Sequence, residues 1–294
     1  MQGTVDGFSY GVVTPLVAFL MACLGGALGL RCTTRSLLVT HSWRPAWLAL
    51  GSAAIGSGIW TMHFVAMMGF TIKETPIHYD KPITYASLGL AIVMVGVGIF
   101  IVGYRGATGT ALFTGGTITG LGVASMHYLG MAGMHFDGRL SYNTLTVAAS
   151  VVIAVVAATA ALWAAGRVRG FLWSVGASMV MGLAVSGMHY TGMAALDVHL
   201  HLHGTSGSAT GGSPATVLAP MLIGPLAFLL LAGVVVMFDP LMVMGRPTRR
   251  DVEDKPGVPA TAVASHQHRP PPLRSGHRPV RDPRHHGSRT PQNR

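Results

Sequence analysis

Apolar residues run almost unbroken for about twenty positions at a time along this chain, seven times over, with short polar stretches between them. The runs cover roughly residues 9–30, 46–70, 83–103, 111–134, 144–165, 172–196 and 217–238. At about 1.5 Å of rise per residue, each is long enough as a helix to cross the ~30 Å hydrocarbon core of a bilayer. The alternation of apolar and polar positions that lipid-facing strands need is missing, which excludes a transmembrane β-barrel. The pattern predicts an all-α membrane protein with seven transmembrane helices.

Composition sharpens this picture. Half of the residues are hydrophobic and 10% are charged, less than half the charge of an ordinary soluble domain. No basic cluster precedes the first apolar run, which carries Asp6 ahead of it, so the first span is expected to remain in the mature protein. Arg31, Arg35 and Arg44 follow span one, Arg105 follows span three, and Arg167 and Arg169 follow span five; none of these loops holds an acid. The opposite loops mix Lys73, Lys81 and Arg139 with Glu74, Asp80, Asp137 and Asp197. The excess of basic residues marks the cytoplasmic side. The amino terminus is therefore expected outside and the carboxyl tail in the cytoplasm of a multi-pass protein.

Within the spans one motif recurs: Met62-His63-Phe64-x-x-Met67, Met126-His127-Tyr128-x-x-Met131 and Met188-His189-Tyr190-x-x-Met193. The histidines sit 64 and 62 residues apart, about the length of a helical hairpin with its loops. Each lies seven or eight residues before the outer end of its run, so all three imidazoles are expected about 10–12 Å below that end. Ser9-Tyr10, Thr84-Tyr85 and Ser141-Tyr142 open the odd-numbered spans. The organisation is thus three helical-hairpin repeats plus a closing helix over residues 1–245, followed by a disordered basic tail over 246–294. Repeats of this kind bury together a face that one unit cannot bury alone.

Ionisable groups inside a bilayer are costly and mark function. Residues four apart share a helix face, which pairs His63 with Met67, His127 with Met131 and His189 with Met193. Imidazole suits copper, zinc and iron; thioethers prefer copper(I). No carboxylate lies in the motif helices, so hard-cation sites are excluded. Copper uses both donor types, with Met62, Met126 and Met188 turned about 100° away as further candidates. Tyr128 and Tyr190 are placed to bond the second ring nitrogen of a ligating histidine. The bland alternative is three histidines hydrogen-bonded across helices with methionine filling space.

The third copy, Met188-His189-Tyr190-Thr191, makes the chain resemble the MHYT-domain family of bacterial integral membrane proteins over about residues 8–240. Phe64 and Val65 replace Tyr and Thr in the first copy, and Leu129 replaces Thr in the second. The resemblance implies a seven-span domain in the bacterial cell membrane, with copper held near the outer face and a diatomic gas (oxygen, carbon monoxide or nitric oxide) as the stimulus. Many members of that family continue into a cyclic-dinucleotide synthase or hydrolase. Here the 49 residues from Arg246 on are rich in Pro, Arg and His, too polar and short to fold as an enzyme.

The expected function is a non-catalytic membrane sensor of a diatomic gas or redox state, signalling to a separate cytoplasmic partner. A copper transporter or buffer is the alternative, and haem binding by two histidines a further one. The tail holds 11 Lys or Arg against four acids, which predicts contact with anionic lipids; it lacks the aromatic residues that would stack on nucleic acid. His199, His201 and His203 share one face of an extended chain and read as an ordinary loop. Cys23 and Cys32 are too far apart along one helix for a disulfide. Gly25-x-x-x-Gly29 and Gly116-x-x-x-Gly120 are read as ordinary membrane-helix composition.

Overall fold

In a computed structural model, residues 3–7, 9–167, 171–200 and 214–239 are described. The tail assigned to 246–294, and His201 and His203, lie outside the described residues. Seven long helices are seen: α1 (Val13–Ser36), α2 (Arg44–Met68), α3 (Lys81–Arg105), α4 (Gly109–Ala132), α5 (Thr144–Arg167), α6 (Phe171–Ala194) and α7 (Pro214–Met237). Six are long and apolar enough to cross a membrane by length and composition. The other, α4, has the same 24-residue length, but Gly and Thr dilute its hydropathy. Large apolar side chains such as Phe113, Leu145, Leu183 and Leu230 stand exposed around the bundle, as lipid-facing residues do. The chain is a multi-pass helical membrane protein.

Helix ends follow local chemistry. Asp80 caps α3 by accepting from the Ile83 N–H at 2.8 Å, and Asn143 accepts from the Thr146 N–H at 3.1 Å. Each satisfies a donor that helix geometry leaves unpaired. The first helix begins four residues later than expected because Ser9 gives its N–H to the Gly69 carbonyl at 3.0 Å, and Gly11 turns the chain with φ +59°. It also runs six residues further than expected. Thr33 and Thr34 bond back to the carbonyls of Gly29 and Leu30, both at 2.9 Å, so their hydroxyls cost the helix no unpaired polar group.

The hairpin repeat takes a form that hydropathy does not reveal. Short strands β1 (Val5–Asp6), β2 (Thr71–Ile72), β3 (His78–Tyr79), β4 (Met134–His135), β5 (Gly138–Tyr142) and β6 (Leu196–Leu200) pair antiparallel as β1–β2, β3–β4 and β5–β6. The strand before each odd helix thus closes on the strand after the following even helix. One backbone bond repeats at each closure: Ser9 to Gly69 at 3.0 Å, Asp80 to Gly133 at 2.8 Å and Asn143 to Ala195 at 2.8 Å. The accepting carbonyl is always six residues past the motif histidine, so all three histidines hang at one depth from equivalent anchors.

Each of the first six helices packs on its chain neighbours and α6 returns to α1, closing a ring. The seventh lies against α2 and α1. An apolar cavity of about 40 Å³ within the ring is lined from all six helices, Ile59, Val95, Val123, Ala158 and Met188 among them. The two Gly-x-x-x-Gly pairs are true contacts, contrary to the compositional reading. A Cβ on Gly25 would lie 2.7 Å from Gly58 Cα, and one on Gly120 would lie 2.4 Å from Val155 Cα. Only hydrogen fits where these backbones touch.

Candidate metal centre

The even helices α2, α4 and α6 each deliver one buried histidine to a common point. His63, His127 and His189 are 1–2% exposed. Their Nδ1 atoms form a triangle with edges of 3.0 Å (63 to 189), 3.2 Å (127 to 63) and 3.3 Å (189 to 127). The rings stand edge to face, with centroids 4.9–5.1 Å apart and interplanar angles of 77–89°. Among the described residues this is the one cluster of His, Cys, Asp or Glu compact enough to hold a metal ion.

Three such contacts cannot all be hydrogen bonds. A ring nitrogen presents in its plane either one proton or one lone pair. A single Nδ1 proton shared between two neighbours leaves the third edge as two opposed lone pairs. Two protons place N–H against N–H, and none leaves three converging lone pairs. A cation resolves this conflict. The middle of the triangle lies about 1.8 Å from each nitrogen, close to the ~2.0 Å of a metal–imidazole bond. The donor set therefore fits a metal ion, and imidazole suits copper, zinc and iron alike. This weighs against the bland alternative of mutually hydrogen-bonded histidines.

The outer ring nitrogens show how tightly two of the imidazoles are seated. Nε2 of His63 and of His127 is buried without a hydrogen-bond partner. A Cβ on Gly130 would come within 2.7 Å of His63 Nε2, and one on Gly192 within 2.5 Å of His127 Nε2. Each of these glycines lies three residues beyond the next motif histidine, two helices on around the ring. Their role was not legible in the sequence, although their equal offset from His127 and His189 was available as a signal.

The aromatic residue after each histidine packs edge-on to it in all three copies: Phe64 at 4.6 Å, Tyr128 at 4.8 Å and Tyr190 at 5.0 Å between centroids. Phenylalanine serves the first copy because the ring edge, not the hydroxyl, is the repeated element. This corrects the expectation for Tyr128. Its hydroxyl lies 2.7 Å from Ser150 Oγ on α5, and the Ser150 hydrogen goes to the Val147 carbonyl, so the phenol donates away from the centre. The bare Nε2 atoms of His63 and His127 show that neither takes a tyrosine hydroxyl.

The motif methionines belong to the same packed core as the triad helices. Met62, Met67, Met126, Met131 and Met188 are buried, and the partly buried Met193 packs against them. Met188 lines the axial cavity, while Met67 and Met193 line a pocket of about 330 Å³ beside His189. Cys23 and Cys32 are both free thiols. His199 lies on β6 near Ser141, at 3.4 Å, away from the triad. At the opposite end of the bundle, Asp239 accepts from Arg35 Nε at 2.5 Å, an ion pair with both side chains nearly buried.

Comparison with known proteins places these observations. The family described as MHYT: Bacterial signalling protein N terminal repeat matches residues 56–115 and 120–178, segments that hold His63 and His127. The bifunctional diguanylate cyclase/cyclic di-GMP phosphodiesterase MucR of Pseudomonas aeruginosa is 38% identical over 192 residues, covering 64% of this chain and 28% of that protein. The cyclic di-GMP phosphodiesterase NbdA of the same species is 35% identical over 209 residues, covering 66% and 26%. Signaling protein YkoW of Bacillus subtilis is 30% identical over 198 residues, covering 65% and 24%. The chain thus spans about a quarter of the length of these curated relatives. No solved structure matches.

Proposed function

We propose that this chain, which belongs to the MHYT family of bacterial signalling proteins, is a membrane sensor built on copper at His63, His127 and His189. The observation that carries the proposal is the Nδ1 triangle of 3.0–3.3 Å edges, which no protonation pattern of neutral imidazoles satisfies. Thioethers support copper over zinc, since Met67 and Met193 line the pocket that His189 also lines. When bound, copper supplies a one-electron couple and affinity for diatomic gases. Oxygen, carbon monoxide or nitric oxide, or the redox state itself, is the stimulus in this reading.

The chain's own residues hold the imidazoles at one depth, exclude water from two of them and leave the third beside a pocket. The charge pattern of the loops puts the triad toward the outer face and Arg35 and Arg44 toward the cytoplasm. Of the three helices that carry the triad, α2 is the one on which α7 packs most closely. The Arg35–Asp239 pair ties the end of α7 to α1 at the far end, so these helices carry the signal toward the cytoplasmic side. In this reading the described residues sense and do not catalyse. Transport is disfavoured because the cavity on the axis is walled by apolar side chains, which cannot pass an ion cheaply.

Elemental analysis of detergent-purified protein tests this. Wild type is expected to retain about one copper ion per chain, and the His63→Gln/His127→Gln/His189→Gln variant none. Zinc in place of copper, or equal metal in both proteins, would refute the reading.

A further inference from the structure

The three motif positions are not equivalent around the ring. His63 seats its Nε2 on Gly130 of α4, and His127 seats its own on Gly192 of α6. Continuing the cycle, His189 should seat on the residue three beyond His63, which is Ala66 of α2. That position carries a methyl group where its counterparts carry hydrogen. In the two glycine positions an added Cβ would stand 2.5–2.7 Å from the facing nitrogen, closer than any real packing. An imidazole facing Ala66 cannot nestle as the other two do.

The structure shows what takes the place of that contact. A pocket of about 330 Å³ opens between α2 and α6, lined by Ala66, Met67 and Phe70 on one side and His189, Tyr190 and Met193 on the other. The outer nitrogens of His63 and His127 are sealed without partners, whereas His189 forms part of the pocket wall. No charged side chain lines it among the described residues. Such a lining opposes the entry of hydrated ions and admits uncharged molecules. Its volume falls within the range of small-molecule sites.

We propose that this pocket is the entrance through which a small uncharged molecule reaches the histidine centre, that His189 is the imidazole it meets, and that Ala66 forms the rim. The entrance stands on the geometry of this chain; only the nature of the visitor, a small neutral molecule bound at a metal, rests on the sensor reading.

Chemical modification of the metal-stripped full chain in detergent tests the entrance without any metal. Diethyl pyrocarbonate transfers an ethoxycarbonyl group to an imidazole nitrogen, releasing ethanol and carbon dioxide, and peptide mass spectrometry locates the product. His189 is expected to react an order of magnitude faster than His63 and His127, with exposed His199 as the internal reference. Ala66→Leu, which narrows the rim, is expected to slow His189 alone; Met193→Trp carries the same test if Ala66→Leu does not fold. Equal rates at the three histidines, an inert His189, or a His189 rate unchanged in both variants would overturn the proposal. Those results would leave the copper reading standing, whereas a wild-type protein without copper would overturn that reading and leave the entrance intact.

Discussion

Gly130→Ala is the smallest change that bears on the whole argument. The new Cβ would lie 2.7 Å from His63 Nε2, 3.1 Å from Phe64 Cζ and 3.2 Å from His63 Cδ2. Ordinary contact begins near 3.4 Å, so the imidazole must retreat by about 0.7 Å, the scale at which overpacking costs about 1–3 kcal/mol. Against this, alanine favours the helix over glycine by about 1 kcal/mol, so global stability should change little. In the metal-free chain only packing holds the ring, and a shift of Nδ1 out of the triangle can relieve part of the overlap. In the metal-bound chain its Nδ1 would have to keep its place in the triangle, where its own two edges are 3.0 and 3.2 Å. The strain therefore appears as lost affinity, about 1–2 kcal/mol or roughly 5–30-fold at 1.4 kcal/mol per decade. Competition between the protein and a chromophoric copper chelator measures this, with thermal melting in detergent as the check on folding. Gly187→Ala, on α6 with nothing within 4 Å of its added Cβ, should bind as wild type. Undiminished affinity in Gly130→Ala, or an equal loss in Gly187→Ala, would show that the glycine does not seat the imidazole.

Tyr128→Phe removes the hydroxyl that donates to Ser150 and should cost about 1 kcal/mol of stability while leaving copper content unchanged; a loss of metal would mean that the phenol serves the centre after all. Arg35→Ala removes the 2.5 Å ion pair to the nearly buried Asp239 carboxylate, and the loss of about 1.5–3 kcal/mol for a hydrogen bond to a charged group should lower the melting temperature; an unshifted melt would show the pair to be idle. Glu74 is held below the usual carboxylate range chiefly by hydrogen bonding from Thr4, whose N–H lies 3.0 and 3.1 Å from its two oxygens. A depressed folded-state value means that this clasp contributes fully above the unfolded carboxylate range and is lost as pH falls through the folded one. Amide exchange of Thr4 should accelerate on acidification through that window after correction for intrinsic rates, and Glu74→Gln should abolish the pH dependence.

Apolar length and motif spacing were enough to read a seven-helix membrane protein of three hairpin repeats and to name the three histidines that meet. Both follow from local rules: apolar length sets a span, and equal spacing from equivalent loops sets equal depth. Gly25 and Gly120 were visible but weighed too lightly, because a glycine in a membrane helix shows whether a neighbour touches it only once that neighbour is in place. Which nitrogen of each imidazole faces inward, that Tyr128 turns to Ser150, and that the strands fasten each hairpin shut all depend on groups some tens to more than a hundred residues away in the chain. The break in the threefold pattern at Ala66 belongs there too. One methyl group reads as a trivial difference along a line of letters, and becomes an opening only when the ring of helices brings α6 round to α2.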